Sequence, residues 1–285
     1  MIKLYRGDCI TIMKSLDAEI IDLTVTSPPY DEMREYNKSS TWNFKIFKKI
    51  ANQLFRITKK GGVVVWVVND ATINGSETGT SFKQALYFKK IGFRIHDTMI
   101  WEKISFRTLS HNRYEPCFEF MFIFSKGKPK TFNPIKIPCL NAGKLNNNQI
   151  YYTESGEKRT QNSDDFFIRD TKIKNNIWSV ATGLDKNKSK HGFHPAKFPE
   201  KLVKDHIISW SNPGDTIFDC FLGSGTTGKM ALINKCNFIG CEIDKTYFKM
   251  ATERITKAQG LLYKDEIKII KNRKKKQNAK KTEIT

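Results

Sequence analysis

The sequence contains no apolar run long enough to span a membrane, and we expect no signal peptide. Its six cysteines form no Cys-x-x-Cys pair and no spacing typical of a disulfide framework, which suits the reducing cytoplasm. The pair His191 and His194 has no cysteine or carboxylate partner at metal-ligand spacing. These absences exclude a disulfide-stapled secreted domain and predict a cytoplasmic protein with neither a membrane segment nor a metal site.

Acidic residues are also few. Asp and Glu number 29 against 49 Lys and Arg, which gives a formal net charge of +20 and a pI near 9.6. This balance favours a polyanion such as nucleic acid as partner, although a lysine-rich composition or a solvated face also produces positive charge. The stretch Lys268 to Lys281 lacks an apolar period. We interpret residues 263–285 as a disordered basic tail that holds nucleic acid non-specifically.

Apolar runs alternate with amphipathic stretches along most of the chain. The continuous run Val63 to Val68, opened by Gly61-Gly62, is typical of a strand buried on both faces. Strands are also predicted over Arg94 to Lys103 and Phe118 to Ser125, and a helix is predicted over Ser81 to Lys90. The alternation predicts a doubly wound α/β sheet around one core.

One candidate site is the turn Thr26-Ser27-Pro28-Pro29-Tyr30, which follows the strand-like run Ile20 to Val25. Two consecutive prolines fix φ and lack amide donors, so the turn is rigid and its carbonyls can accept hydrogen bonds. An isolated Pro-Pro pair is more often an ordinary loop. The position at the carboxyl end of a strand, where open α/β sheets bind ligands, favours a functional turn here.

A second candidate site is the glycine-rich segment that begins at Asp219 and ends at Gly228. A strand is predicted before it, a helix from Thr227, and a further strand that ends at Glu242. Glycines let the backbone approach a ligand, and the helix amino terminus suits a carboxylate. Glu242 is placed to take two ribose hydroxyls. The pattern G-x-G-x-x-G alone does not distinguish a dinucleotide from S-adenosylmethionine.

These two motifs, in this order, resemble those of DNA methyltransferases that methylate an exocyclic amino nitrogen and carry the catalytic motif before the cofactor motif. Tyr5-Arg6-Gly7-Asp8-Cys9 and the segment His194 to Pro199 are similar to further parts of that family. The resemblance covers residues 3 to 127 and 176 to 256. It implies a Rossmann-like methyltransferase fold, S-adenosylmethionine as cofactor, and double-stranded DNA whose target base is flipped out of the duplex.

The resemblance also implies roles for individual residues. Ser27 and the Pro28 carbonyl would accept hydrogen bonds from the target amino group, and Tyr30 would stack on the base. The implied catalytic residues are Ser27, Pro28, Pro29 and Tyr30. The implied cofactor-binding residues are Asp8, Lys197, Phe198, Asp219, Phe221, Gly223, Ser224, Gly225, Thr226, Thr227 and Glu242. Serine in the first motif position favours N4 of cytosine, with N6 of adenine as the alternative.

Other activities explain less of the sequence. A nicotinamide-dependent oxidoreductase would account for the glycine turn but not for Ser-Pro-Pro-Tyr or the charge. A non-catalytic DNA-binding protein would account for the charge but not for two pockets. The C5-cytosine methyltransferases need a Pro-Cys nucleophile, and neither Pro116-Cys117 nor Pro138-Cys139 stands in a suitable place. Where the family usually has Asp-Pro-Phe, this chain has Asp219-Cys220-Phe221, a departure that leaves the local turn geometry open but keeps Asp219 and Phe221.

The predicted organisation is one methyltransferase domain with an insertion. Residues 1–125 form the catalytic half, 126–190 a target-recognition region, 191–262 the cofactor-binding half, and 263–285 the basic tail. A solvated insertion with little order is the alternative for 126–190. We expect a cytoplasmic enzyme of a restriction-modification or phage-like system. The sequence leaves open a partner restriction endonuclease and the choice between monomer and homodimer.

Overall fold

The computed structural model describes residues 1–29, 42–104, 112–144, 149–161, 167–182, 198–260 and 267–271. The strands are β1 (Ile2–Arg6), β2 (Ile21–Thr26), β3 (Thr58–Val68), β4 (Thr72–Ile73), β5 (Ser76–Glu77), β6 (Arg94–Lys103), β7 (Phe118–Ser125), β8 (Lys136–Pro138), β9 (Gln149–Tyr152), β10 (Lys158–Gln161), β11 (Thr171–Ile173), β12 (Ile177–Val180), β13 (Thr216–Asp219), β14 (Asn237–Glu242) and β15 (Ile267–Lys271). The helices are α1 (Cys9–Lys14), α2 (Phe44–Ile57), α3 (Thr80–Lys90), α4 (Glu200–Trp210), α5 (Thr226–Ile233) and α6 (Lys245–Gly260).

One sheet of nine strands dominates the larger of two compact units, which comprises Met1–Phe132 and Ile177–Thr285. Its strand order is β12-β6-β7-β3-β2-β13-β14-β1-β15. Neighbouring strands are parallel except in the two pairs that include β7. The predicted doubly wound, mostly parallel α/β sheet is therefore confirmed. Among the helices within the described ranges, none is both long and apolar enough to cross a membrane.

The centre of the sheet is formed by continuous apolar strands. Residues 63–68 of β3 are all buried, as expected for a central strand covered on both faces. β3 begins at Thr58 rather than at Val63, so the glycine pair lies inside the strand. Gly61 has φ 78 and exchanges backbone hydrogen bonds with Lys126 and Lys130 at 2.7 and 2.9 Å. A side chain there would meet the Lys130 backbone, which explains why glycine occupies this position.

Helix α2 covers the part of the sheet beside the first motif. It begins after Asn43, whose side chain accepts a hydrogen bond from the Ile46 amide at 3.0 Å and so caps the helix. Phe47 lies on its buried face, and its ring is 5.8 Å from Trp66 and 5.3 Å from Phe88, both edge-on. Edge-to-face pairs of this kind stabilise packing beyond simple burial. The first turn of α2 is therefore anchored in an aromatic cluster.

The smaller unit, Asn133–Asn176, contains two antiparallel ladders. β8 pairs with β11, and β9 pairs with β10. This unit falls within the predicted target-recognition region 126–190, whose function stays a prediction. β12 also falls within that region, but it pairs in parallel with β6 and belongs to the main sheet.

The prediction that residues 263–285 form a disordered tail is wrong for one segment. Ile267–Lys271 forms β15, which pairs in parallel with β1 along its whole length. The prediction rested on the charge-rich composition, but this segment contains several β-branched isoleucines, which favour strands. The outer edge of β1 supplies hydrogen-bonding partners for it. Because β15 is parallel to β1, Lys271 lies opposite Arg6 at the carboxyl edge of the sheet. The rest of the predicted tail lies outside the described residues.

Candidate active site at the carboxyl edge of the sheet

The two sequence motifs lie at the ends of two neighbouring strands. After these strands the chain continues in opposite directions across the sheet. β2 and β13 are parallel neighbours, with Leu23 opposite Ile217 and Thr24 opposite Phe218. After β2 the chain continues to β3 on one side, and after β13 it continues to β14 on the other. In open α/β sheets such a division leaves a crevice at the carboxyl ends of the strands. Both motifs follow these strands directly and therefore border that crevice.

A buried hydrogen bond joins the ends of the two strands. The Thr26 hydroxyl donates to Asp219 Oδ1 at 2.6 Å, and the Phe221 amide donates to the same oxygen at 3.0 Å. Burial raises the pKa of Asp219, while these hydrogen bonds act in the opposite direction. The carboxylate thus orients the start of the glycine turn and fixes its distance from the Ser-Pro-Pro turn.

The described part of the first motif emerges from the core at this edge. Ser27 and Pro29 are half-buried, and Pro28 between them is buried. Tyr30, the predicted stacking residue, lies outside the described residues. So does Lys197, which the sequence assigned to the cofactor. The structure therefore brings Ser27 and the proline pair to the crevice, and it describes nothing further of that motif.

The glycine turn depends on two backbones in the left-handed region. Gly223 has φ 52 and Gly225 has φ 83, conformations that favour glycine. A Cβ on Gly225 would lie 2.8 Å from the Cα of Ala251, so α6 packs directly on the turn. Cys220, which stands where the family usually has proline, is buried, and its sulfur lies 3.7 Å from the Thr26 hydroxyl oxygen.

Glu242 supplies a buried carboxylate beside the glycine turn. Its Oε2 accepts a hydrogen bond from the Gly223 amide at 2.8 Å, and its Oε1 accepts one from the Asp244 amide at 2.8 Å. Burial is the main cause that raises the pKa of Glu242 to about 7. Its position at the end of β14 agrees with the predicted one, and each oxygen has a second lone pair for a ligand.

Asp8 has a structural role that the resemblance alone does not imply. It precedes α1, and its Oδ2 accepts hydrogen bonds from the Thr11 amide at 2.9 Å and the Thr11 hydroxyl at 2.8 Å. It therefore caps the helix. The preceding residue, Gly7, donates its amide to the Glu242 carbonyl at 2.9 Å, which places Asp8 at the same edge as the glycine turn. Its predicted contact with the cofactor stays a prediction.

Aromatic side chains form one wall of the region. Phe221 is 5.6 Å from Trp42 and 6.2 Å from Trp66, measured between ring centroids, with both pairs edge-on. Phe198, directly before α4, is half-buried. Trp42 was not among the predicted site residues, because it stands in a polar stretch and only its contact with Phe221 identifies it.

The hydroxyls of the glycine turn are held by a residue that the sequence did not reveal. Arg254 of α6 donates to Ser224 Oγ at 3.1 Å and to Thr226 Oγ1 at 2.9 Å. Thr227, the remaining predicted hydroxyl, is buried. Across the ranges that the structure covers, no group of three or more His, Cys, Asp or Glu side chains is arranged to hold a metal ion. The pair His191 and His194 lies outside those ranges.

Comparison with known proteins gives concordant matches. A family model described as DNA methylase, of the N6 and N4 type, matches residues 21–253. The orphan methyltransferase M.BamHII of Bacillus amyloliquefaciens is 52% identical over 240 residues, which are 82% of this chain and 88% of that protein.

Two solved structures share the fold. The M1.HpyAVI–SAM complex has a TM-score of 0.59 and 24% identity, and the match covers 90% of this chain and 99% of that chain. PvuII DNA methyltransferase (cytosine-N4-specific) has a TM-score of 0.63 and 20% identity, and the match covers 93% of each chain.

Proposed function

The chain belongs to the DNA methylase family of S-adenosylmethionine-dependent amino-methyltransferases, and we propose that it methylates N4 of a flipped cytosine in double-stranded DNA. The observation that carries this proposal is the hydrogen bond from Thr26 to Asp219. It holds the Ser-Pro-Pro turn beside the glycine turn, so a target amino group at the first would face a methyl donor at the second. Proximity and orientation of this kind supply much of the rate in two-substrate reactions.

The residues at the glycine turn fit the cofactor. S-adenosylmethionine supplies an electrophilic methyl group on a sulfonium, together with a ribose and a methionine carboxylate. Glu242 would accept hydrogen bonds from the ribose hydroxyls, since its carboxylate is buried at the end of β14. Gly223 and Gly225 allow the left-handed backbone of the turn, and the amino terminus of α5 favours the carboxylate. Asp8, Phe198 and Phe221 would enclose the remainder.

Serine at position 27 supports cytosine, because in this family serine at the first motif position is more often associated with N4 of cytosine and aspartate with N6 of adenine. An exocyclic amino nitrogen is a poor nucleophile because its lone pair is delocalised into the ring. Hydrogen bonds accepted by the Ser27 hydroxyl and the Pro28 carbonyl would localise that lone pair and direct it at the methyl group. Tyr30 would stack on the flipped base. Adenine N6 offers the same two hydrogens, so N6-adenine is the second candidate.

Several features of the cellular setting belong to the same proposal. We assign the protein to the cytoplasm and to a restriction-modification or phage-like system. We assign target recognition to the region 126–190, which includes the smaller unit Asn133–Asn176. The formal net charge of +20 supports a DNA partner, because lysine and arginine neutralise phosphates.

The direct test is to analyse nucleosides by mass spectrometry after incubating unmethylated DNA of diverse sequence with the protein and S-adenosylmethionine. N4-methylcytosine is the expected product. N6-methyladenine would overturn the choice of base and keep the reaction. If cofactor binding is verified by calorimetry and neither product forms, the proposed activity is wrong.

The raised pKa of Glu242 predicts that cofactor affinity depends on pH. Ribose hydroxyls donate to a carboxylate better than to a carboxylic acid, so binding favours the ionised form. Because the pKa is about 7, affinity should rise as pH increases through neutrality. We expect S-adenosylhomocysteine to bind about tenfold more tightly at pH 8 than at pH 6, measured by calorimetry.

Glu242→Gln is the matched control for this pH dependence. The amide cannot ionise, so the variant should bind weakly and with little change over the same pH range. Any titration of the ligand is common to both proteins and cancels in the comparison. An equal pH dependence in the variant would assign the effect to a group other than Glu242.

The placement of β15 predicts a role for the residues that follow it. The chain continues past Lys271 from the carboxyl edge of the sheet, where the site lies. Residues 272–285 contain six basic residues and one acidic residue, namely Arg273, Lys274, Lys275, Lys276, Lys280, Lys281 and Glu283. Removal of 272–285 should make DNA binding less dependent on salt. The slope of log K against log salt concentration should become less negative by about 0.9 for each phosphate that the segment neutralises. Titration of labelled duplex at several salt concentrations measures this slope.

A shorter truncation, which removes only residues 282–285, keeps every basic residue of the segment and serves as control. It should retain the salt slope of the full chain. Equal slopes for the full chain and both truncations would show that the segment neutralises no phosphate.

A further inference from the structure

Arg254 connects three elements around the glycine turn. It lies on α6 with a quarter of its side chain exposed. Its Nη1 donates to Ser224 Oγ at 3.1 Å and to Thr226 Oγ1 at 2.9 Å, and its Nη2 donates to Glu200 Oε1 at 2.7 Å. Lys229 of α5 donates to the same Glu200 oxygen at 2.7 Å. One guanidinium therefore joins α6, the glycine turn and the start of α4.

The environment holds this guanidinium in a fixed position. Gly225 and Gly228 would both clash with α6 if they carried a Cβ, at Ala251 and Ile255 respectively, so α6 lies directly on the turn and on α5. Although burial opposes ionisation of Glu200, hydrogen bonds from Lys229 and Arg254 outweigh it and lower the pKa of Glu200. The anchor is thus a carboxylate, and hydrogen bonds between charged groups are the stronger kind.

The chemistry of the contact determines where the hydroxyl hydrogens point. A serine or threonine hydroxyl has one hydrogen to donate and two lone pairs, whereas a guanidinium has only donors. Ser224 and Thr226 both accept hydrogen bonds from Arg254. Their own hydrogens must therefore point away from it, towards some other acceptor. At the amino terminus of α5 the favoured acceptor is an anion.

We propose that Arg254 is a positioning residue of the cofactor site, which orients the Ser224 and Thr226 hydroxyls to donate to the methionine carboxylate. This inference rests on the proposed function, because it takes S-adenosylmethionine as the ligand of the glycine turn. The two ends of the ligand would thus be held by different residues. Arg254 acts on the carboxylate end, while Glu242 acts on the ribose.

The test uses two ligands that differ at the carboxylate end. S-adenosylhomocysteine carries the amino-acid carboxylate, and 5′-methylthioadenosine lacks it but keeps the adenosine. Arg254→Gln should weaken S-adenosylhomocysteine binding about tenfold and change methylthioadenosine binding by less than about twofold, as measured by calorimetry. Lys257→Gln, on an exposed part of the same helix, also removes one positive charge and should change neither affinity.

The outcomes distinguish the inference from the function on which it rests. If the unaltered protein binds neither ligand, the proposed function fails. If it binds both and Arg254→Gln weakens both equally, Arg254 has only a structural role and the inference is overturned. Should Arg254→Gln fail to fold, Arg254→Lys is measured in its place. An ammonium cannot reach both hydroxyls and Glu200 in the same geometry, so the same selectivity between ligands is expected.

Discussion

Replacement of Ser27 by alanine is expected to lower the rate of methyl transfer about 100- to 1000-fold, the decrease typical when one oriented hydrogen-bonding partner is removed from a reacting group. Ser27 follows β2 directly at the crevice, while most of the predicted cofactor contacts lie at the ends of β13 and β14 or in the glycine turn after β13. The variant should therefore bind S-adenosylhomocysteine as tightly as the unaltered protein. Single-turnover methylation of duplex DNA measures the first effect, and calorimetry measures the second.

The two measurements together test the assignment of the catalytic turn. Ser27→Asp is an informative companion, because an aspartate at this position also accepts hydrogen bonds and should restore part of the rate. Full activity in Ser27→Ala would refute the role given to the hydroxyl. An equal decrease in cofactor affinity and rate would show that Ser27 supports the glycine turn rather than the target base.

Replacement of Gly225 by alanine is expected to destabilise the protein by about 3 kcal/mol and to weaken cofactor binding severely. Alanine at φ 83 costs about 1 kcal/mol in the left-handed region. The new Cβ would also meet the Ala251 backbone at 2.8 Å, and an overpacked contact adds about 1–3 kcal/mol. Relief of the clash requires α6 to move off the turn. Urea unfolding gives the stability, and calorimetry with S-adenosylhomocysteine gives the affinity.

Gly127 offers a matched control. Its φ of 84 is almost the same, but a Cβ there would meet nothing within 4 Å. Gly127→Ala should therefore cost only the backbone strain, about 1 kcal/mol, and leave cofactor affinity unchanged. If the two variants are destabilised equally, the close approach of α6 contributes nothing, and the account of Gly225 is wrong.

The sequence predicted much of the sheet, because the strands at its centre are buried. Such strands appear as continuous apolar runs, as in residues 63–68 of β3, and the predicted bounds Arg94–Lys103 and Phe118–Ser125 also agree with β6 and β7 residue for residue. The prediction failed where local composition and tertiary pairing disagree. Ile267–Lys271 is extended only because the edge of β1 is there to pair with it.

The residues of the candidate site also fall into those that the sequence could predict and those that it could not. Motifs that stand at strand ends, such as Ser27 to Pro29 and Gly223 to Gly225, could be located because the fold brings strand ends together. Arg254 could not, because nothing in its helix distinguishes it from other basic residues. Its contacts with Ser224 and Glu200 cross 30 and 54 positions of sequence, and only the folded chain creates them.

The hydrogen bond between Thr26 and Asp219 spans 193 positions of the chain. On the ribosome, β2 is made long before its neighbour β13, so one side of β2 stays unpaired while most of the protein is synthesised. Closing so long a loop is entropically costly and slow, and an unpaired strand edge invites aggregation. Nascent chains released before Thr216 would carry the Ser-Pro-Pro turn on an open sheet edge. Incomplete copies of the protein should therefore aggregate rather than persist as inactive monomers.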